Sequence, residues 1–314
     1  LFQNSGYINE PSVVYTEKKS ECHAHSVMFE GVDFDLVYTP LKHLGYKSVL
    51  SVFGEIYARI HTPYSLSIKF ALSSRFCFED IQELWNGVVA AAKEHGVKHL
   101  SLDLVPSVNG LCISLSAVGV QETKIISSLP ASKNMDLICL TGDVGAAYMG
   151  LHVLEREKVA FVKDKNGEKQ PDLKKYKYIL ESYLSPQIKP DILSRFLDEK
   201  IFPAKGYFLT KGLGGAIIRL TQESGFGAKI YLDRIPISSR TFAMAEEINM
   251  DAITAAMNGG DDYKFIFTIP IEKHEILRKE CQDYDIIGHL AQPEVGAVMV
   301  TPEGAEIPIK AQGF

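Results

Sequence analysis

A stretch of the chain, residues 30–63, places a predicted strand directly before a long amphipathic helix, and this junction constrains the fold most. The apolar positions of the helix recur every three or four residues, as one buried stripe requires: Val49, Val52, Phe53, Ile56 and Ile60. Thr39 is the predicted N-cap, Pro40 suits the first helical position, and Pro63 ends the pattern. A strand that feeds a long helix predicts an α/β domain, with the carboxylate of Glu55 beside the stripe.

Strand and helix patterns alternate along the rest of the first half. We predict two strands within 12–34, further strands at 64–73, 98–105 and 111–120, and a helix at 78–95 that stops at Gly96. The polar segment 121–136 is typical of a domain boundary. The order of these elements indicates a domain built on a mixed sheet.

A second set of α/β patterns follows the polar segment. Strands are predicted at 137–140, 206–210, 228–232, 263–269, 286–288 and 297–300. Helices are predicted at 144–157, 172–183, 191–197, 214–223, 243–249 and 272–281, with a mobile loop at 163–170. We therefore expect an α/β (α+β) fold with two domains, 1–128 and 129–314.

Charge and cysteine usage exclude several classes of protein. The formal net charge of −6 argues against a nucleic-acid backbone as the main partner, because such partners need a clustered positive surface. No apolar run approaches the roughly 18 residues that cross a bilayer, and residues 1–11 lack the pattern of a signal peptide. The five scattered cysteines favour reduced thiols over a disulfide framework. We expect a cytoplasmic protein that binds neither nucleic acid nor a membrane.

The turn TGDVGAA, residues 141–147, joins a predicted buried strand to a helix. Its Gly142, Asp143 and Gly145 place backbone N–H groups at a helix start, where unpaired donors and the macrodipole suit a phosphate. The turn is neither a Walker loop nor a GxGxxG motif. A plain connection between strand and helix explains the same residues.

Two more glycine-rich segments are candidates for ligand contact. In TKGLGGA, Lys211 and Gly212 could meet a phosphate, while close helix packing through the following glycines is the alternative. In NGGDDYKF, the candidates for a substrate loop are Gly260, Asp261, Asp262 and Tyr263. Acidic pairs in loops are also common as solvated turn residues.

Taken together, four motifs resemble the thiamine-monophosphate kinase family of the aminoimidazole ribonucleotide (AIR) synthase-related superfamily. EGVDFDL resembles E-G-V-H-F-D, and LGYKSVLSVFGEIYA resembles G-Y-K-A-L-A-V-N-L-S-D-I-A-A. TGDVGAAYMGL resembles T-G-x-L-G-x-x-x-x-G-L, and NGGDDYKF resembles G-G-E-D-Y-E-L. The terminal AQGF fits as well, so the similarity runs from about Tyr7 to Phe314.

The resemblance implies a two-domain AIR synthase-like fold, with an N-terminal mixed-sheet domain that dimerises and a C-terminal α/β domain. It implies ATP and Mg²⁺ as cofactors and transfer of a phosphoryl group to thiamine monophosphate. It assigns nucleotide or phosphate binding to Gly142, Asp143, Gly145, Lys211 and Gly212. It assigns substrate binding to Asp33, Gly260, Asp261, Asp262 and Tyr263.

Most metal-ligating aspartates of the family are absent from this chain. In chain order their positions fall on Ile8, Asn9, Ser26, Glu55, Asp103 and Lys211, so that only Glu55 and Asp103 retain an acid. A magnesium site needs at least one or two well-placed carboxylates, and an ammonium group in a former cation site repels the metal. The resemblance therefore implies an eroded Mg-ATP site in which Mg²⁺ binding is doubtful.

Three hypotheses follow from these residues. The first is a non-catalytic or very weak homologue with a binding or partner role, as a homodimer or as a heterodimer with an active kinase subunit. The second is an active ATP-dependent thiamine-monophosphate kinase with altered metal use. The third is a module that binds a small phosphorylated ligand without chemistry.

Overall fold

The computed structural model describes residues 5–7, 19–163 and 173–311, without the side chain of residue 162. Among them, the residues up to Ser128 form one compact unit with Gln187–Leu193 (unit 1). Leu129–Pro186 and the residues from Ser194 onward form a second unit (unit 2). The assignment of 1–128 and 129–314 as two domains stays a prediction.

Unit 1 is a four-stranded mixed sheet with helices, as predicted. Its elements are β1 (Lys19–Phe29), α1 (Leu41–Ala58), β2 (Thr62–Leu72), α2 (Phe78–Glu94), β3 (His99–Pro106), β4 (Leu111–Glu122) and α3 (Thr123–Ser127). The strand order is β1-β4-β2-β3. The pair β2–β3 is parallel, while β4 runs antiparallel to β1 and β2.

Helix α1 packs on the sheet through the predicted stripe, whose five apolar residues are all buried. The last of them, Ile60, lies beyond the end of the helix at Ala58. Helix α2 packs against α1, and Gly87 makes a close approach possible. A Cβ at Gly87 would collide with the carbonyl oxygen of Lys42 in α1. The two backbones therefore meet without an intervening side chain, which fixes the spacing of the helix pair.

The residues before α1 differ from the prediction. Pro40 is the N-cap residue, Leu41 is the first helical residue, and the buried Oγ1 of Thr39 has no hydrogen-bond partner among the described residues. The predicted Thr39 cap is therefore wrong. EGVDFDL is a turn after β1, held by the carboxylate of Asp33, which accepts the N–H of Phe29 at 2.7 Å. The strand lies before this motif because a local hydrogen bond closes the chain there.

Unit 2 is built on a seven-stranded sheet of order β11-β10-β7-β9-β5-β8-β6. Its strands are β5 (Leu137–Thr141), β6 (Lys205–Leu209), β7 (Gly227–Tyr231), β8 (Lys264–Ile269), β9 (Tyr284–Ala291), β10 (Ala297–Val300) and β11 (Glu306–Pro308). Only β7–β10 is a parallel pair among these described strands. The sheet is again mixed.

The helices of unit 2 are α4 (Ala146–Lys163), α5 (Lys177–Leu184), α7 (Gly212–Ser224), α8 (Ser239–Glu247), α9 (Ala252–Asn258) and α10 (His274–Glu280). Helix α6 (Ile192–Asp198) contributes its first residues to unit 1 and the rest to unit 2. Side chains from β5, β6, β8 and α7 form one buried core that includes Ile138, Leu209, Ile217 and Ile266.

Three short elements were missed by the sequence patterns: α3 within the predicted polar boundary segment, α9 and β11. Helix α9 is capped by Asp251, whose side chain accepts the N–H of Thr254 at 2.8 Å, and that cap was a usable signal. Strand β11 has only three residues and pairs with β10 at the edge of the sheet. In the described part of the chain no helix is long and apolar enough to span a membrane.

Some predictions fall on residues outside the described ranges. These are residues 12–18 of the first strand pair, most of the loop at 163–170, Ile8 and Asn9, and the last three residues of AQGF.

Candidate functional site

The three glycine-rich segments meet at one end of the sheet in unit 2. Strand β8 lies between β5 and β6 and runs antiparallel to both. The start of β8 is therefore flanked by the ends of β5 and β6, where the TGDVGAA and TKGLGGA turns begin. We call this junction of the three segments the β8 junction.

Hydrogen bonds join the three segments directly. The carboxylate Oδ1 of Asp262 accepts the N–H of Gly145 at 2.9 Å. On the other side, the N–H of Asp261 donates to Thr210 and the N–H of Tyr263 donates to Leu209, each at 3.0 Å. The segment before β8 thus bridges the other two turns.

The backbone of this bridge is strained. Gly260 has φ +79°, and a Cβ there would lie 2.7 Å from the carbonyl oxygen of Thr210. Asp261 and Tyr263 also have positive φ values, 59° and 53°, which non-glycine residues rarely adopt. Such strain costs about 1–3 kcal/mol per residue, and it persists only where the surrounding structure imposes it.

Asp262 is the most perturbed acid of the junction. Its side chain is only 6% exposed, and its Oδ2 has no hydrogen-bond partner among the described residues. Burial raises its pKa to about 8, although the N–H of Gly145 and the charge of Lys264 act in the opposite direction. Burial therefore favours the protonated, neutral form of the Asp262 carboxyl near neutral pH.

Asp143 is held by a helix that sequence reasoning did not connect to the site. The hydroxyl of Tyr178 in α5 donates a short hydrogen bond to its Oδ2. Burial and this bond raise the pKa of Tyr178 well above its ordinary value. The guanidinium of Arg240 lies 5.2 Å from the centre of the Tyr178 ring, so a cation of α8 borders the same place.

Two lysines border the junction. A Cβ atom added to Gly142 would lie 3.6 Å from the Nζ of Lys264. The Lys264 side chain therefore runs along the TGDVGAA turn. Lys211 is exposed at the N-cap position of α7, and its Cα would lie 3.4 Å from a Cβ at Gly260. Neither lysine forms an ion pair with another described residue.

Several donors at the start of α4 are already engaged. The N–H of Val144 donates to the carbonyl of Pro236 at 3.0 Å, and that of Gly145 donates to Asp262. Phosphate binding by Gly142, Asp143, Gly145, Lys211 and Gly212 stays a prediction. The packing alternative for the second turn also stays open, since Gly214 lies against the carbonyl of Met257 in α9.

The candidate residues of unit 1 do not come together. Asp103 is exposed, forms an ion pair with Lys69 at 3.2 Å and lies opposite Lys69 in the β2–β3 register. In strand β2, Leu66 and Ile68 are buried on the face of the sheet that the helices cover. Lys69 alternates with them and lies on the other face, and so does its partner Asp103. Glu55 belongs to α1 on that covered face. The sheet therefore separates the two predicted metal ligands within one protomer.

No group of three or more histidine, cysteine, aspartate or glutamate side chains that could hold a metal ion occurs in the described ranges. Asp33, the remaining substrate candidate, closes its own turn through Phe29.

Sequence reasoning missed Tyr178, Arg240 and Lys264 as site residues. Lys264 stands inside the NGGDDYKF motif and differs in charge from the glutamate of the family motif, which was a usable signal. Tyr178 and Arg240 lie in helices without a motif, and only the tertiary structure brings them to Asp143.

Comparison with known proteins identifies relatives along nearly the whole chain. No family model matches. The thiamine-monophosphate kinase of Bacillus subtilis (strain 168) is 21% identical over 313 residues, covering 98% of this chain and 92% of that kinase.

Solved structures share the fold. AaThiL complexed with AMPPCP and TMP has a TM-score of 0.77 at 21% identity, covering 94% of this chain and 87% of that one. HypE in the HypE–HypF complex has a TM-score of 0.64 at 17% identity, covering 93% and 89%. The predicted α/β, AIR synthase-like fold is confirmed.

Proposed function

We propose that this chain, which is similar to thiamine-monophosphate kinases in sequence and in fold, is a non-catalytic or very weak homologue with an eroded Mg-ATP site. Its role is to bind a ligand or a protein partner. The observation that carries the proposal is the placement of Lys211, an exposed ammonium group at a position where the family motif has a metal-ligating aspartate.

The residues present do not fit a magnesium cluster of the family's kind. Magnesium needs one or two well-placed carboxylates in a near-octahedral arrangement. Glu55 and Asp103 lie on opposite sides of the unit 1 sheet, and Asp103 is already paired with Lys69. In unit 2, Asp143 accepts from Tyr178, and burial favours the neutral form of Asp262.

Release of ADP from purified protein with magnesium, ATP and thiamine monophosphate tests the proposal. The thiamine-monophosphate kinase of Bacillus subtilis, assayed in parallel, is the positive control. We expect turnover far below that of the control. Turnover of about 1 per second or more, an ordinary enzyme rate, would refute the proposal and favour an active kinase.

The partner role is supported by the open face of the unit 1 sheet. Side chains that α1 and α2 do not cover include Val27 and Phe29 of β1, which are 48% and 50% exposed. Phe29 is in register with Cys112, Cys112 with Ala71, and Ala71 with Val105, which makes one largely apolar row across four strands. We propose this face as the contact of a homodimer or of a heterodimer with an active kinase subunit.

HypE, a structural neighbour, is found in a complex with HypF. Light scattering after size-exclusion chromatography measures the homodimer. Co-expression with a thiamine-monophosphate kinase and co-purification measure the heterodimer, and a monomer in both experiments contradicts the partner role. The cytoplasmic location stays a prediction.

A further inference from the structure

We propose that strand β1 carries a two-histidine chelate site for a divalent transition cation, with Zn²⁺ as the representative metal. The ligands are the imidazoles of His23 and His25, which stand on either side of Ala24 in the sequence, and water completes the coordination. The inference goes beyond the proposed function and does not depend on it.

The alternation of β1 puts both imidazoles on one face of the sheet. Cys22 and Ala24 are buried on the side that the helices cover, and Ser26, at the position of a family aspartate, follows on that side. His23 and His25 project from the open face, where both are exposed, and 70% of the His23 side chain is accessible to solvent. A cation can therefore reach both rings from solution, on the opposite face of β1 from the family's metal position.

The spacing of the two rings suits a chelate. Residues two apart in a strand lie about 6.6–7 Å apart, and Zn²⁺ binds an imidazole nitrogen at about 2.1 Å. Two side chains of this length close the gap when they lean toward each other around the metal. Neutral imidazole is a preferred ligand of Zn²⁺, Cu²⁺ and Ni²⁺, whereas Mg²⁺ prefers oxygen ligands.

Two protein ligands make this an exchangeable site. It is consistent with the absence of any three-residue metal group in the ranges that the structure describes. Water supplies the remaining ligands, so the metal binds in response to its concentration in solution and is not needed for folding.

Glu21 gives the pair an orienting neighbour. It lies on the same face two residues before His23, and its Oε2 is 3.9 Å from the Nε2 of His23. A carboxylate beside one ring nitrogen favours a proton on that nitrogen, which leaves the lone pair of Nδ1 for the metal. The negative charge of Glu21 also attracts a cation.

The site is separate from the apolar row proposed as the protein contact. His25 is in register with Ser116, Ser116 with Ser67, and Ser67 with Ser101, so its own row is polar. Phe29 lies four residues further along β1, about 13 Å away at the rise of a strand. The two proposals therefore concern different parts of the open face.

Calorimetric titration of the full chain with ZnCl₂ tests the inference. The protein is treated with EDTA and then transferred to a buffer that does not chelate metals. We expect saturable binding of one Zn²⁺ per chain and a melting temperature that rises with Zn²⁺ and saturates with the same affinity. An excess of Mg²⁺ should leave this affinity unchanged, because magnesium does not compete for imidazole.

Matched variants distinguish a chelate from two independent rings. His23→Ala and His25→Ala should each weaken Zn²⁺ binding about a hundredfold, because the second ligand then no longer binds intramolecularly. Glu21→Gln should weaken it about tenfold by releasing the orientation of His23. His43→Ala removes an exposed imidazole of α1 and should leave the affinity unchanged. In EDTA all four variants should melt like the wild type, since the substituted side chains lie at the surface.

Four results would overturn the inference. These are no saturable binding by the wild type, wild-type affinity in both single histidine variants, a change of only about twofold in each of them, as independent rings would give, and an equal loss in His43→Ala. Unchanged binding by Glu21→Gln would remove Glu21 from the site. The titration contains no ATP, so its outcome and that of the ADP-release assay are decided separately.

Discussion

Replacing Asp262 by asparagine should remove a pH dependence from the stability of the protein. The folded-state pKa of Asp262 is about 8, against an ordinary value of 3.8. A raised pKa means that the folded state holds a proton that the unfolded state releases. The stabilisation from this proton is thus complete below about pH 4, is lost progressively as the pH rises from about 4 to about 8, and is gone above the folded-state pKa.

The magnitude follows from proton linkage. One proton corresponds to about 1.4 kcal/mol per pH unit, so between pH 5 and pH 7 the wild type should lose about 3 kcal/mol relative to Asp262→Asn. The asparagine oxygen retains the acceptor for the N–H of Gly145, and no charge is buried at any pH. The groups that face Asp262 are Asp143, Tyr178, Asp261 and Lys264.

Urea unfolding followed by far-ultraviolet circular dichroism at pH 5, 6, 7 and 8 measures this difference. The free energy of unfolding of the wild type minus that of Asp262→Asn should fall steadily with pH up to about 8. A difference that stays flat within about 0.5 kcal/mol over this range would show that Asp262 is ionised in the folded state. The account of the neutral Asp262 carboxyl would then be wrong.

Three further perturbations test other parts of the structure. Gly87→Ala should destabilise the protein by about 1–3 kcal/mol or more, because the new methyl group collides with the backbone of α1. Thermal unfolding measures this loss of stability, and Asn86→Ala at the neighbouring exposed position is the control. Asp251→Ala should cost about 1 kcal/mol by removing the cap of α9, while Asp251→Asn keeps the acceptor for Thr254 and most of the stability. Phe29→Asp should convert a dimer into a monomer in light scattering, because it places a charge in the apolar row of the open sheet face, whereas Val32→Asp in the following turn should not.

Each of these has a contradicting result. Unchanged melting of Gly87→Ala would mean that the helices separate at low cost. Equal losses for both Asp251 variants would mean that the cap contributes nothing specific. A Phe29→Asp protein that stays dimeric would place the interface elsewhere.

Local patterns in the sequence determined the elements of the fold. The stripe of α1 and the helix at 78–95 were predicted because periodicity depends on residues within a few turns of one another. The prediction of Thr39 as the N-cap was wrong because the capping residue depends on where the chain enters the helix. The turn closed by Asp33 precedes that entry, and the N-cap residue is Pro40.

The sequence alone also marked three segments of the candidate site through their glycines and acids. Only the tertiary structure decided that they form one site, because the pairing of β8 with β5 and β6 joins residues more than 50 positions apart along the chain. Tertiary packing in unit 2 also buries Asp262 and brings Tyr178 to Asp143. In unit 1 the strand pairing puts the sheet between Glu55 and Asp103. A residue's charge state and its neighbours depend on burial and strand order, and neither is a local property of the sequence.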